Sequence, residues 1–452
     1  MLNASIKKRA LEAGFDLVGI APIAAWEDLK FSRQWVERGY GGEMRYLENP
    51  KRDDPRRVLP SVRSVICVGL VYNADLPYSV EVSRQKAVGR MQNAETENQN
   101  YPGYVDLSHS PVNYRDPSSP AAPQDDIARD DGHRTKDTGQ ARTWVSRYAW
   151  GADYHRVMRA RLEKLRAAIE DLAPDVETRV YVDTGPIVER AFARLSGIGW
   201  MGKNTCLINQ HKGSWFFLGV ILTSLELPPD LPAPDRCGSC TRCLDACPTG
   251  ALPEPYVMDA SRCIAYFTIE LKGSIPSEFR PAIGGNVFGC DICQDVCPWN
   301  SCQSSVVSRQ LKNNHQPSAI RSQHKAATTD IEEFRPLELA LPSVSDARTD
   351  SSPAGVAENG PRTTEVVSLF NPRLDSLASL TEDDFRRIFR DSPIKRVKYH
   401  GWLRNLCVAM GNSGDPRLLP HLERLRDHID PTVREHAEWA IEQLAQVELN
   451  SR

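Results

Sequence analysis

Two short runs of cysteine constrain this chain more than anything else in it. Eight of its twelve cysteines fall between Cys237 and Cys297, with only Cys67, Cys206, Cys302 and Cys407 elsewhere. The first run is Cys237-x2-Cys240-x2-Cys243-x3-Cys247-Pro248 and the second is Cys290-x2-Cys293-x3-Cys297-Pro298, with Cys263 between them. That is the spacing of bacterial ferredoxins, where three thiolates of a run hold one cluster and the fourth reaches the other. By this crossing rule Cys237, Cys240, Cys243 and Cys297 ligate one [4Fe-4S] cluster. Cys247, Cys290, Cys293 and Cys263 ligate the second, with Cys263 replacing the cysteine that the second run lacks. Zinc is the competing reading, since four-thiolate zinc sites also use CxxC pairs, but a proline directly after the last cysteine marks the cluster register. Two clusters at ferredoxin spacing imply electron delivery, to an acceptor the cysteines do not specify.

The rest of the chain has to be organised around that module. At roughly 150 residues per domain, 452 residues suggest about three domains, and 40% hydrophobic with 25% charged residues excludes a disordered or fibrous chain. No apolar run approaches the roughly 18 residues of a membrane span, and Met1 to Ala10 reads as a polar helix start rather than a signal peptide, so a soluble cytoplasmic protein is expected. Residues 1–227 read as one α/β domain, with a buried strand at Ser61 to Val71, a helix from Asp153 to Leu172 and strands at Thr178 to Val182 and Trp215 to Leu222. Within it, 76–142 is rich in Pro, Asp, Asn, Ser and Gln and is expected to be a solvent-exposed, largely disordered insertion. Residues 228–302 carry the cysteines, and 303–364 has the composition of a linker or second insertion. Residues 365–452 read as short amphipathic helices, starting after Thr381 and at Asp415-Pro416 and Asp430-Pro431, a pattern that suggests a HEAT-like stack.

Outside the cysteines, the densest unusual sequence runs from Val180 to Leu227. Asp183 follows a strand and precedes Thr184-Gly185-Pro186, so its carboxylate is expected at the carboxyl edge of the sheet, where α/β folds bind ligands. It is a candidate acid. An equal alternative makes it the N-cap of a helix beginning at Pro186. Gly197, Gly199 and Gly202 approximate a phosphate loop but follow a helix rather than a strand, which argues against a dinucleotide fingerprint. Such glycines can instead let backbone approach a large flat cofactor, with Lys203, Asn204 and Ser214 either donating to it or stabilising the loop.

The net charge of −3 gives no global attraction to nucleic acid, so any such partner needs a local basic surface. From Arg386 to Arg404, seven basic residues stand against one acid, Asp391. Lys395, Arg396 and Lys398 lie at the centre of that stripe, with Tyr399, His400 and Trp402 interleaved for base stacking. The alternative is a solvated helix face over a packed core.

Together the segments DTGPI-ER from Asp183, GIGWMGKNT from Gly197, GSWFFLG from Gly213, the two cysteine runs and GWLRNLCVAMGN from Gly401 closely resemble the epoxyqueuosine reductases, over nearly the whole chain outside the two insertions. The resemblance implies a cobalamin-dependent iron–sulfur enzyme that reduces epoxyqueuosine at the tRNA wobble position to queuosine. It implies a corrinoid-binding N-terminal domain, the cluster module lying against it, C-terminal repeats that help bind the anticodon stem-loop, an external electron donor and a monomer. It makes Asp183 the proton donor and draws corrinoid contacts from Asp183, Lys203, Asn204, Leu207, Ser214, Leu218, Cys290, Asp291, Ile292 and Cys293. A carboxylic acid beside a desolvated corrinoid is expected to have a raised pKa, suited to protonating a departing alkoxide. No Asp-x-His-x-x-Gly segment occurs, since Asp153-Tyr154-His155 continues with Arg156, Val157 and Met158, so the corrinoid is expected base-off without a histidine ligand. Two rival readings remain. A reductive dehalogenase shares the cluster module but usually carries an export signal and no helical repeat, and a ferredoxin-type carrier fused to an RNA-binding module leaves Val180 to Leu227 unexplained.

Overall fold

The segment SVICVGLV is apolar on both faces, and a strand of that kind belongs in the middle of a sheet. The computed structural model describes residues 2–24, 26–80, 82, 140–300, 327–342 and 364–450. Its N-terminal layer contains, in chain order, α1 (Leu2–Glu12), β1 (Leu17–Pro22), α2 (Trp26–Glu37), β2 (Ser64–Val71), α3 (Tyr154–Leu172), β3 (Thr178–Tyr181), α4 (Glu189–Leu195) and β4 (Phe216–Thr223). The sheet order is β1-β2-β4-β3, with every residue of β2 buried. All three pairings are antiparallel, Ile66 facing Ile20 on one side and Ile221 on the other. The layer is therefore α+β and not the α/β arrangement expected. Alternation of helix and strand along a sequence carries no information on strand direction, which the pairing of distant segments decides.

The helices cover both faces. On one, α1 and α3 bring Ile6, Met158 and Leu162 against Val68 and Phe217, and on the other α2 and α4 bring Leu29 and Phe192 against Cys67 and Val220. Asp153 caps α3 by accepting from the His155 amide, which leaves Tyr154 and His155 in the first turn, facing the end of β3.

Both expected insertions start or end differently from the composition boundary. At the start of the first, Tyr78, Ser79 and Val82 are buried rather than exposed: the Tyr78 hydroxyl donates to the Asn300 carbonyl at 2.5 Å, and the Ser79 amide donates to Asp295 at 3.0 Å. The remainder of the expected disordered span, 83–139, lies outside the described residues. In the expected linker, Glu338–Pro342 pairs antiparallel with Thr364–Ser368 and buries Leu339 and Leu341, while 303–326 and 343–363 lie outside the described residues. The stretch FRPLELALP stands out from the polar runs around it as the part of this linker expected to be ordered, and it supplies this strand.

The carboxyl-terminal part is helical, with α5 (Lys398–Ser413) and α6 (Pro431–Asn450) as its longest members. Thr381 forms a capping box with Asp384, and Asp415 and Asp430 each accept from the amide two residues on, as their Asp-Pro context predicts. Helices α5 and α6 pass so closely at Gly411 that a Cβ there would sit 2.9 Å from the Ala440 Cα. One continuous core joins Trp402, Leu406, Ala437 and Leu444 of these helices to Trp144, Trp150, Phe288 and Leu341 from the middle of the chain. Among the described residues no helix is long and apolar enough to cross a membrane.

Candidate active site

Four of the eight clustered thiols share a void, and the other four lie in one another's electrostatic field. Cys237, Cys240, Cys243 and Cys297 line one cavity of about 210 Å³, with Lys203, Arg236, Arg242 and Trp299 also on its wall. Cys290 lies in the field of both Cys263 and Cys247, whose charges add to burial in pushing its thiol pKa up. Cys293 lies beside Cys290 and Cys263, in contact with Cys206. Among the described residues no three candidate ligands converge on a single-ion site. Four thiols spaced around a void suit a polynuclear cluster, in which each sulfur binds a different iron.

The cluster module is tied to the N-terminal layer by the residues expected to contact a corrinoid. Residues Gly199 to Ile208 form a small hairpin rather than a phosphate loop, pairing Trp200 with Ile208, and a Cβ at Gly199 would lie 2.2 Å from the Ile208 carbonyl oxygen. At its turn the Lys203 ammonium donates to the carbonyls of Gly238 and Cys240, at 2.7 and 2.9 Å, and the Asn204 amide donates to the Cys293 carbonyl at 3.1 Å. The Ser214 hydroxyl accepts from Gln294 and Asn300 at 2.9 and 2.7 Å. Asp291, almost fully buried, accepts from the Trp144 indole, the Ser146 hydroxyl and the Arg147 amide. Lys203, Asn204 and Ser214 thus hold these loops together. Leu207 and Leu218 pack in the apolar layer between the sheet and α4, and Ile292 begins the short helix Ile292–Asp295 behind the second thiol set.

Asp183 stands apart from that seam, two residues beyond β3. It caps no helix: α4 begins at Glu189, its N-cap position is Val188, and no side chain caps it. The Asp183 backbone is left-handed, with φ of 53°, an uncommon conformation for a residue other than glycine. Its half-exposed carboxylate accepts from the Tyr154 hydroxyl at 2.8 Å and lies 3.5 Å from His155 Nε2 and 3.9 Å from the Arg396 guanidinium. Behind it the Tyr154 ring stacks on Phe217 at 4.3 Å, and Phe217 packs on Tyr72 at 4.3 Å. Tyr148 is partly buried, packs beside Gly289 just before the second cysteine run, and feels the charges of both Asp183 and Asp291.

The charges here run opposite to the expectation of a raised acid. Burial pushes the Asp183 pKa up, but hydrogen bonds from His155 and Tyr154 and the charges of His155 and Arg396 outweigh it and hold it below the usual carboxylate value. His155 is raised to about 9: burial opposes this, but Asp153 and Asp183 on its two ring nitrogens prevail. The proton of the free site therefore resides on histidine. Tyr154 and His155 are the functional candidates that sequence reasoning missed as neighbours of Asp183. The available signal was Asp153 as a helix cap, which points the next two side chains at the strand end.

The basic stripe is largely neutralised. Arg386, Arg387 and Arg390 pair with Glu382, Asp384 and Asp391, while Arg404 is buried and donates to the carbonyls of Phe267, Leu271 and Gly273. Lys395 binds Asp153 at 2.8 Å, and Arg396 binds Glu270 at 2.7 Å while facing Asp183. Two of the three expected RNA contacts are thus counterions of the acid site, and Lys398 is exposed at a left-handed position, φ 63°.

Known proteins resemble this chain over most of its length. The family described as "Epoxyqueuosine reductase QueG, DUF1730" matches residues 112–184, and a "4Fe-4S double cluster binding domain" matches 236–300. Epoxyqueuosine reductase of Xanthomonas campestris is 35% identical over 443 residues, covering 97% of this chain and 95% of that protein. The Escherichia coli protein of the same description is 32% identical over 446 residues, covering 98% and 89%. A crystal structure of selenomethionine-labelled epoxyqueuosine reductase superposes with a TM-score of 0.65 at 26% identity, over 98% of this chain and 90% of that one. Another, of epoxyqueuosine reductase with an epoxyqueuosine-modified tRNA-Tyr stem loop, gives 0.65 at 25% identity, over 100% and 93%. The chain is an oxidoreductase with two iron–sulfur clusters, and it belongs to the epoxyqueuosine reductase family.

Proposed function

We propose that the chain carries out the reduction for which its family is named on a corrinoid lying between the second thiol set and Asp183, with Asp183 as the acid. The carrying observation is the Asp183 carboxylate, half-exposed beyond the sheet, capping no helix and held by Tyr154. The residues present fit a base-off corrinoid, because His155, the imidazole beside this acid, has Nδ1 bound by Asp153 at 2.8 Å and Nε2 directed at Asp183, leaving no free nitrogen to ligate cobalt. When bound, the corrinoid would supply a low-potential metal for the two-electron reduction. Asn204, Ser214, Asp291 and Cys293 fix the wall nearest the clusters, Tyr148 and Phe217 exclude water behind Asp183, and Asp183 holds the proton for the departing oxygen.

Removing an epoxide oxygen to leave an alkene consumes two electrons and two protons and releases water. Cys237, Cys240, Cys243 and Cys297 would hold one cluster and Cys247, Cys263, Cys290 and Cys293 the other, and the pair would relay electrons from an external donor. The C-terminal helices form a HEAT-like unit that presents Lys398 and its neighbours to the anticodon stem-loop, and the protein works as a monomer in the cytoplasm, where its tRNA substrate is found.

The test is anaerobic reconstitution with iron, sulfide and cobalamin, then assay on epoxyqueuosine-containing tRNA. Asp183→Asn keeps size and most hydrogen bonding but cannot give up an acidic proton, so turnover should fall by roughly 10²–10⁴ with the cobalamin spectrum unchanged. Near-normal turnover removes Asp183 from the mechanism.

A further inference from the structure

Each epoxide reduced consumes two protons, whereas the resting acid site holds one, and that one is not on Asp183. Resting on the reading above, we infer that His155 is the proton reservoir of this site, reloading Asp183 through Nε2 while Asp153 and Lys395 fix its orientation. His155 Nδ1 lies 2.8 Å from Asp153 Oδ1, and Asp153 Oδ2 is in turn held at 2.8 Å by the Lys395 ammonium. Those contacts hold Asp153 ionised, so when the imidazolium loses a proton the remaining one stays on Nδ1. The proton that leaves is therefore the one on Nε2.

That atom is buried and faces Asp183 Oδ2 at 3.5 Å, the outer limit of a hydrogen bond. The separation is loose for a transfer, as is usual before a catalytic complex tightens. In the step itself the Nε2–H bond breaks and an Oδ2–H bond forms, with no change of oxidation state. Covering Asp183 with substrate and corrinoid disfavours the ion pair and drives the proton onto the carboxylate, where it is spent on the departing oxygen. With Nε2 buried, His155 supplies one of the two protons, and the half-exposed Asp183 carboxylate takes the second from solvent.

The other charged groups around the pair are accounted for. Arg396 faces Asp183 from the turn before α5 and is itself neutralised by Glu270, while its guanidinium lies over the Tyr46 ring. Burial raises Glu189, at the start of α4, to about 8, so it adds little negative charge at neutral pH, and burial keeps Tyr154 and Tyr148 protonated.

The test pairs histidine NMR with a pH profile on the reconstituted enzyme. With 13Cε1-labelled histidine, one resonance should titrate near pH 9, vanish in His155→Gln, and move at least one unit to the acid side in Asp183→Asn. In turnover, wild type should lose activity only as pH rises through about 9, whereas His155→Gln should lose it from a markedly lower pH, falling roughly 10-fold or more at pH 8 with the KM for tRNA unchanged. A uniform loss with the alkaline limb in place, or a His155 titrating near 6.5 whatever stands at 183, overturns the inference. Should His155→Gln fail to fold, the Asp183→Asn titration decides alone. Full turnover by Asp183→Asn is a different failure, which removes the acid and the reservoir together.

Discussion

At the scale of single residues, the ion pairs around Asp183 make stability depend on pH in a definite direction. His155 rises from 6.5 when unfolded to about 9 when folded, so its contribution is complete below about pH 6.5 and disappears as pH rises through about 9. The melting temperature of wild type should therefore fall more steeply across that window than that of Asp183→Asn, whose histidine has lost one of its two carboxylates; parallel curves would show that the pair is not formed. Asp183 itself was legible in the sequence, since a lone acid after a strand and before Thr-Gly-Pro has few roles. Its left-handed backbone and its partners were not legible, because His155 lies 28 positions away and meets Asp183 only through the packing of α3 on the sheet. The depressed pKa follows from those partners, which oppose the desolvation that burial imposes.

Among elements, the cysteine runs and the helix caps were legible because both are written in local spacing, and the strand directions were not. The assignment of Cys263 to the second thiol set has a direct check: Cys263→Ser should lower iron from about eight to about four per chain, with one of two reduced-cluster EPR signals lost. If all the iron remained, another ligand would have to complete that cluster. Close packing of α5 on α6 makes a second prediction. Gly411→Leu would drive a side chain into Ala440 and the Trp439 ring, at a cost of about 1–3 kcal/mol, read as a lower urea midpoint with cluster content intact. An unshifted midpoint would mean that the two helices separate freely.

Over the whole molecule, Lys395 and Arg396 carry the charges of the C-terminal part to Asp153 and Asp183 of the N-terminal acid site, so a substitution at either changes the field at that site. Lys398→Ala should reduce the slope of log affinity for tRNA against log salt by about one contact and leave the pH profile unchanged. Lys395→Ala with Arg396→Ala should move the profile as well, because Asp153 and Asp183 lose their cations. An unmoved profile would make those contacts incidental. The shared core of the middle and the end of the chain also has a meaning in time. Trp144 and Phe288 are not enclosed until residues as late as Leu444 have left the ribosome. The thiols are thus made well before the helices that complete the core beside them, and a nascent chain passes through an interval in which iron and sulfide can arrive before the last helix closes.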